Sequence, residues 1–559
     1  VLYSPNVTAS RTQIIMHLLT SSLLLSTLLL FHVTLGTPVG STFESKCTAL
    51  IDNLPTFPNL PATVNIAKFL PANSTIDHTA EGLNATCAAY PSRLALPIPV
   101  NICRLQLKVA TSEASSTVVE VWLPETWSGR FLSVGNGGFA GCIEYQDLIN
   151  GVSYGFASAA TDNGHEGTSG GAWFHQPEVL KDFVWRSLYS GVVVGKEITK
   201  SFYGKEHDKS YFYGCSSGGR QAWKAIQSYP ELFDGVIAGA PAFDFTGLIG
   251  RAGWALQTLG FNDNTIDAYM TEEDWARVAK IVLEQCDQLD GATDGILEDP
   301  NSCHPEFSSL ACSKTNNEEW CFSRAQLSAL ATVFKPLVVN GTTLAMGASY
   351  GSELAVLALY LSPIASEWVD DYFKFVVKED LTWDRKTFTL EDAVEAFNQN
   401  PFNIQTFDAD ISAFRDRGGK VLHWHGSSDP VLPSTTSDWY YQRVSEALKA
   451  TVEDLDEFYR YFKISGTYHC AGGPGANAIG QGFGMAASDD PDDNLLMRIV
   501  EWVENGEAPE IVRGTKFVND TPELGVAFAR KHCKHPKVNK YTGSGNGTDE
   551  EGWHCVDAE

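Results

Sequence analysis

Residues Tyr211–Arg220 read YFYGCSSGGR. An aromatic, β-prone run enters Gly214-Cys215-Ser216-Ser217-Gly218. The segment after it, roughly Gly219–Tyr229 (GRQAWKAIQSY), is helical in pattern, with apolar residues at 222, 223 and 226 before Pro230. A strand before and a helix after give G-x-S-x-G a mechanical meaning. The sharp turn holds its serine in a strained backbone conformation, and the flanking glycines let neighbouring backbone pass close by. Ser216 is therefore the candidate nucleophile, lifted above the end of a sheet. The Ser217 N–H lies at a helix N-terminus, where free donors can bind an oxyanion.

Short buried strands flank this elbow. Arg130–Val134 (RFLSV) runs into Gly135-Asn136-Gly137-Gly138, and Gly137 or Gly138 offers a second oxyanion donor from a loop with no side chain in the way. Phe156–Thr161 (FASAAT) leads into Asp162-Asn163-Gly164-His165, where His165 reads as structural. Phe233–Ala242 is the next strand, and Trp185–Phe202 is helical. Upstream, LQLKVA and TVVEVWLP alternate as an antiparallel start. Residues 37–110, rich in Pro, Asn, Ala and Thr, read as an irregular segment pinned by disulfides. Short buried strands alternating with amphipathic helices predict an α/β fold with a mostly parallel sheet covered on both faces.

After Ala242 the pattern breaks. About 170 residues precede the next buried strand, Gly419–Gly426 (GKVLHWHG), where a βαβ crossover needs about a dozen. Helical stretches at Glu272–Gln285, Ser323–Phe334, Leu354–Leu361 and Leu390–Asn398 mark an inserted lid domain over the strand ends. The expected division is 1–36 leader, 37–242 first part of the catalytic domain, 243–415 lid, and 416–559 second part. In the last part Trp439–Ala450 and Asn494–Asn505 read as helices and Phe458–Gly466 as a strand. The polar tail from Arg513 would be loosely ordered without Cys533 and Cys555.

A serine nucleophile in this architecture needs an acid and then a histidine further along the chain. Strand GKVLHWHG delivers Ser427-Ser428-Asp429-Pro430, and strand FYRYFKISG delivers Thr467-Tyr468-His469-Cys470-Ala471-Gly472. Asp429 and His469 are the candidate acid and base. His423 and His425 lie within the strand and precede the acid; they read as packing residues or as residues behind those that touch substrate. Cys215 directly precedes Ser216 and Cys470 directly follows His469. A disulfide needs Cα atoms about 4.4–6.8 Å apart. A serine and a histidine in hydrogen-bond contact bring their neighbours into that range, so each pairing predicts the other.

Composition narrows the compartment and the substrate. The 559 residues are 43% hydrophobic and 11% aromatic, with a formal net charge of −28. That charge argues against nucleic acid or an anionic membrane as partner and fits a neutral or weakly charged substrate. From Met16, MHLLTSSLLLSTLLLFHVTLGTPVG reads as a secretory signal, and residues 1–15 before it are expected not to belong to the natural protein. All twelve cysteines lie beyond it, an even number that suits complete pairing in an oxidising compartment. No C-x-x-C occurs, so zinc has no support. Sequons start at Asn73, Asn84, Asn340, Asn519 and Asn546. In the insertion, CDQLDGATDGILED (286–299) offers Asp287, Asp290 and Asp294, with the carbonyls of Ala292 and Ile296, to a hard cation such as Ca2+ in a structural role.

Together, C-S-S-G-G, S-S-D-P, H-C-A-G-G, G-N-G-G and C-D-x-L-D-G-x-x-D-G-I resemble the tannase/feruloyl esterase family, from about residue 47 to the C-terminus. The resemblance implies an α/β-hydrolase fold with a lid, a structural Ca2+, no organic cofactor, and a Ser216–Asp429–His469 triad. It also implies the bridges Cys47–Cys103, Cys87–Cys142, Cys215–Cys470, Cys286–Cys303, Cys312–Cys321 and Cys533–Cys555. The expected activity is that of a secreted feruloyl esterase releasing hydroxycinnamic acids from plant cell wall polysaccharide; the alternative is a tannase acting on galloyl esters. The acyl ring is expected to pack against lid aromatics, with Trp320, Phe322 and Tyr360 as candidates that would equally serve as lid core.

Overall fold

The computed structural model describes residues 42–558 apart from 79, 90–93, 95–96 and 313–319; the expected leader, 1–36, lies outside the described residues. Residues Phe43–Glu559 form one compact unit, so the insertion is a lobe of that unit and not a freestanding domain.

Its spine is a mixed sheet built from β1 (Ala62–Leu70), β2 (Ile102–Ala110), β3 (Ser116–Pro124), β4 (Arg130–Val134), β5 (Ala157–Thr161), β6 (Lys209–Cys215) and β7 (Gly235–Gly239). After the insertion, which contributes the small hairpin β8 (Leu337–Val339) and β9 (Thr342–Ala345), the sheet is completed by β10 (Lys420–Gly426) and β11 (Tyr459–Ile464). The order is β1-β2-β3-β5-β4-β6-β7-β10-β11. β1, β2, β3 and β5 pair antiparallel, and every pairing from β5 through β11 is parallel.

The period-two pattern of a strand separates its side chains between two cores. Tyr211 and Tyr213 of β6 join Leu132, Ile237, Leu422 and Trp424 on one face, against helices Tyr145–Ser153 and Leu495–Asn505. Phe212 joins Phe131, Val236 and Val421 on the other, against helices Ser187–Tyr203, Ser217–Ser228 and Ser434–Leu448. Each large apolar side chain so enclosed contributes about 1.5–3 kcal/mol. Double coverage is why the central strands read as unbroken apolar runs. Local signals set the helix ends: Asn494 accepts from the N–H groups of Leu496 and Met497, and Thr271 and Asp274 cap each other's backbone.

Three expectations are corrected. The segment 37–110 is not irregular throughout, because Ala62–Leu70 forms the sheet edge, paired along β2 with a bulge between Val64 and Ile66. Its alternation is broken at the bulge, where Ile66 and Ala67 are half-buried in succession between exposed Asn65 and Lys68, which an edge strand tolerates. The tail is ordered as two hairpins, β12 (Ile511–Phe517) with β13 (Val526–Cys533) and β14 (Val538–Tyr541) with β15 (Trp553–Val556). They are held by more than the terminal bridge: buried Arg530 lies 4.1 Å over the Trp553 ring and pairs with Glu298 and Asp294 of the insertion. The insertion also holds helices Phe245–Thr258 and Pro363–Tyr372, which the sequence pattern did not show. Helix Phe245–Thr258 is apolar on most of its circumference, so it lacks the amphipathic contrast that marks a surface helix. The lid builds its own apolar core, continuous with Phe139, Trp173 and Phe183 of the catalytic part.

Candidate active site

Strand β6 ends at the elbow, and the backbone there is as strained as the sequence requires. Ser216 adopts φ 63°, ψ −123°. A Cβ on Gly214 would stand 2.6 Å from the Gly218 carbonyl carbon, and one on Gly219 would stand 2.3 Å from the Gly239 oxygen. Neither position tolerates a side chain, which is why the elbow reads G-x-S-x-G-G. The Ser216 N–H donates to Gly239 O (3.0 Å) and its carbonyl accepts from Ala242 N (3.2 Å), tying the turn to β7. Helix Ser217–Ser228 starts directly after Ser216.

The loop after β4 crosses beside this turn. Gly137 and Gly138 line a cavity of about 500 Å3 together with Ser216, Cys215, His469 and Cys470. Side chains that sequence reasoning did not single out hold the loop rigid. Gln221 of the elbow helix accepts from Asn136 N and donates to both Asn136 Oδ1 (3.1 Å) and Asn163 Oδ1 (2.8 Å). Asn163 donates onward to Ala140 O, and His165 Nε2 bonds Phe139 O (2.8 Å), the structural part expected of it. Ser217 Oγ donates to Gly138 O, locking strap to elbow.

Asp429 is fully buried one turn past β10, and His469 is 19% exposed at the end of β11. His469 Nδ1 lies 2.6 Å from Asp429 Oδ2. The other carboxylate oxygen accepts from Val431 N (2.8 Å) and Leu432 N (2.9 Å). Burial pushes this carboxyl up, but the facing His469 and His425 and their hydrogen bonds outweigh it and hold the group well below the usual carboxylate range. Asp429 is therefore a permanent anion behind the imidazole. Cys215 and Cys470 are bridged with Cα atoms 6.0 Å apart, across 255 residues of chain. The six bridges in the structure are those the family resemblance implied.

The cavity has two characters. Leu359, Ile364, Trp368 and Val431 give it an apolar side, whereas Glu144, Gln146, Asp147 and Gln481 give it a polar one. Trp320, Phe322 and Tyr360 do not line it. Trp320 packs on Phe322 under the Arg277 guanidinium, and Tyr360 stacks on Phe261 inside the lid. Helix Glu353–Leu361 turns by about 100° per residue, so when Leu359 faces the cavity Tyr360 faces the lid core.

The acidic loop after helix Glu272–Cys286 brings only oxygen donors, which suits Ca2+ in kind. Asp287 Oδ1 accepts from Gly295 N, Asp290 from Ala292 N and Glu298 N, and Asp294 from Ile296 N and from Arg530. Asp287 and Asp290 form no ion pair among the described residues, and burial pushes Asp290 up to about 7. Among the described residues no three His, Cys, Asp or Glu side chains converge as a metal cage. Asn73, Asn340, Asn519 and Asn546 are exposed; Asn84 is half-buried and caps the short helix Ala85–Ala88. No helix among the described residues is long and apolar enough to cross a membrane.

Comparison with known proteins agrees with this architecture. The profile of the family described as tannase and feruloyl esterase matches residues 101–556. A protein of Aspergillus terreus named probable feruloyl esterase B-2 is 43% identical over 518 residues, 92% of this chain and 95% of the other. The crystal structure of feruloyl esterase B from Aspergillus oryzae superposes with a TM-score of 0.86 at 41% identity, covering 92% of this chain and all of that one. Tannin acyl hydrolase from Aspergillus niger shares the fold at a TM-score of 0.71 and 21% identity, over 93% of this chain and 96% of that one.

Proposed function

The chain belongs to the tannase and feruloyl esterase family, and from that premise we propose that it is a secreted serine esterase releasing ferulic and related hydroxycinnamic acids from plant cell wall polysaccharide. The observation that carries the reading is the meeting of Ser216, His469 and the 137–138 strap in one cavity, with the Cys215–Cys470 bridge alongside. Similarity to proteins named feruloyl esterase B at 41–43% identity, against 21% for the tannin acyl hydrolase, favours the feruloyl ester over the galloyl one. An apolar wall with Trp368 suits a methoxylated ring better than a ring carrying three hydroxyls.

In the proposed reaction Ser216 Oγ attacks the ester carbonyl carbon while His469 Nε2 takes its proton. The carbonyl oxygen becomes an oxyanion held by N–H groups of Ser217 and of Gly137 or Gly138. Collapse expels the alcohol, which takes the proton from His469. Water then attacks the acyl-serine with the same base, releasing the acid and restoring Ser216. The Asp429 carboxylate stabilises the imidazolium formed in each half.

Secretion is supported by six disulfides, which persist in oxidising compartments, and by four exposed sequon asparagines. For the acidic loop we infer a structural Ca2+ held by Asp287, Asp290 and Asp294 and the carbonyls of Ala292 and Ile296. Bound there it would neutralise buried carboxylates and fasten the lid to the C-terminal hairpins.

The test is hydrolysis of methyl ferulate, methyl caffeate and methyl gallate by the purified protein and by Ser216→Ala. Preference for the cinnamates, abolished in the variant, is the expected result. Preference for gallate, or turnover that survives the loss of the hydroxyl, overturns the assignment.

A further inference from the structure

Behind the acid stands a file of buried polar groups that the reaction above does not use. His425 Nε2 lies 3.3 Å from Asp429 Oδ2 and 2.9 Å from Leu432 O. His425 Nδ1 is 2.6 Å from Ser437 Oγ, and Ser437 Oγ is 2.9 Å from His423 Nε2. His423 Nδ1 is 2.9 Å from Tyr459 Oη. His423, His425, Ser437 and Tyr459 have no exposed surface.

The partners determine every proton in this file. Leu432 O and Asp429 Oδ2 can only accept, so His425 Nε2 carries its hydrogen and donates to both. A neutral His425 then has a bare Nδ1, which accepts from the Ser437 hydroxyl. The Ser437 oxygen in turn accepts from His423 Nε2–H, and His423 Nδ1 accepts from the Tyr459 hydroxyl. All four donations run one way, from Tyr459 towards Asp429. Had Ser437 donated to His423 instead, the bare His425 Nδ1 would face the serine oxygen with no hydrogen between them, at a cost of about 1–3 kcal/mol for the buried unpaired acceptor.

We propose that His423, Ser437, His425 and Tyr459 form a positioning relay that aims a second imidazole N–H at the catalytic carboxylate, fixing its rotamer and moderating its basicity towards His469. This rests on the esterase reading above. The relay touches no substrate and moves no proton in turnover; it acts through Asp429. A carboxylate sharing its charge with one more donor holds the imidazolium of His469 less tightly, so the base is free at lower pH.

The surroundings do not supply a competing titration. Facing the file from β11 are Tyr459 and Tyr461, and from helix Ser434–Leu448 Tyr440, Tyr441 and Asp438. The carboxylate of Asp438 is paired with Lys463 at 3.3 Å. His535, after β13, packs on Tyr441 and Tyr461, and burial draws it down to about 4.

The experiment is the pH profile of kcat/KM for methyl ferulate in wild type, His425→Phe, His425→Gln, Ser437→Ala and Ser437→Thr, with Tm for each. Loss of the donor in His425→Phe is expected to move the acid limb up by about half a pH unit or more and to lower kcat about tenfold. KM should change little. The Gln side chain presents an N–H near the same place, so His425→Gln should return the limb towards wild type. Ser437→Ala should shift it in the same direction as His425→Phe, and Ser437→Thr should not. An acid limb unmoved in Ser437→Ala, or His425→Gln no better than His425→Phe, overturns the proposal. If His425→Phe does not fold, the serine pair decides alone. A wild-type protein without esterase activity would instead refute the assignment of function, a different outcome from an active enzyme with an unmoved limb.

Discussion

Replacing Cys215 and Cys470 together by alanine separates two roles of their bridge. On the chain-entropy account, a cross-link closing 255 residues restricts the unfolded chain by about 5.5 kcal/mol, an upper bound because five other bridges remain. Unfolding entropy of about 2 cal/mol/K per residue over about 500 residues is about 1 kcal/mol/K, so the Tm should fall by about 5 °C at most. The second role is local. Cys470 has φ 62° and leads from His469 into a glycine-rich loop, and Ser216 is itself strained. Without the bridge the Asp429 contact and the loop backbone are left to hold the imidazole in the cavity it shares with Ser216. A displacement of about 1 Å costs about 100-fold in rate, or about 2.7 kcal/mol on the barrier. At 25 °C, well below the melting transition, kcat should therefore fall about 100-fold while KM stays within about twofold. Steady-state kinetics on methyl ferulate beside calorimetry of the same sample is the assay. An unchanged kcat with a lowered Tm would refute the local role and leave the bridge as a staple on the unfolded chain.

Trp368→Ala opens the apolar wall of the cavity and should raise KM about tenfold with a smaller change in kcat; equal KM values would remove the indole from the binding site. Asp162, buried beside the strap and accepting from Thr117 Oγ, Val118 N and Gly164 N, is pushed up to about 7 by burial. A carboxyl raised in the folded state contributes its stability below its unfolded value of about 3.9 and loses it as pH rises through about 7. Asp162→Asn keeps an acceptor oxygen and should flatten the fall of Tm between about pH 4 and 7; an unaltered slope refutes this. Prolonged EDTA treatment should lower the Tm, with Ca2+ restoring it and Mg2+ not, and leave 25 °C activity near its starting value. A Tm that EDTA does not move would exclude a structural cation in the 286–299 loop.

How far the sequence could be read depended on whether a feature is local. The elbow is a ten-residue motif in which each glycine answers a backbone approach, so Ser216 and the helix after it were legible. Asp429 and His469 were legible because each follows a buried strand, and strand ends mark the edge of a parallel sheet where such residues belong. The lid residues were not. Whether Leu359 or Tyr360 faces the cavity depends on the rotation of one helix within a lobe packed by nonlocal contacts, and aromatic character alone did not separate the cavity wall from the lid core. β1 was missed for a related reason: an edge strand gets its order from its partner, and its own alternation is weak.

The relay behind Asp429 divides the two kinds of information most clearly. His423 and His425, two apart on a strand, must share a face, and that much follows from the backbone alone. That Ser437 comes down from helix Ser434–Leu448 to stand between them, and that Tyr459 closes the file from the next strand, follows only from packing. By itself the sequence determined the hydrolase sheet, its elbow and the placing of Ser216, Asp429 and His469 at strand ends, because short-range sterics and strand periodicity act within a few residues. The tertiary structure alone decided which groups face the cavity and which way each buried hydrogen bond points, because both depend on side chains brought together from distant segments.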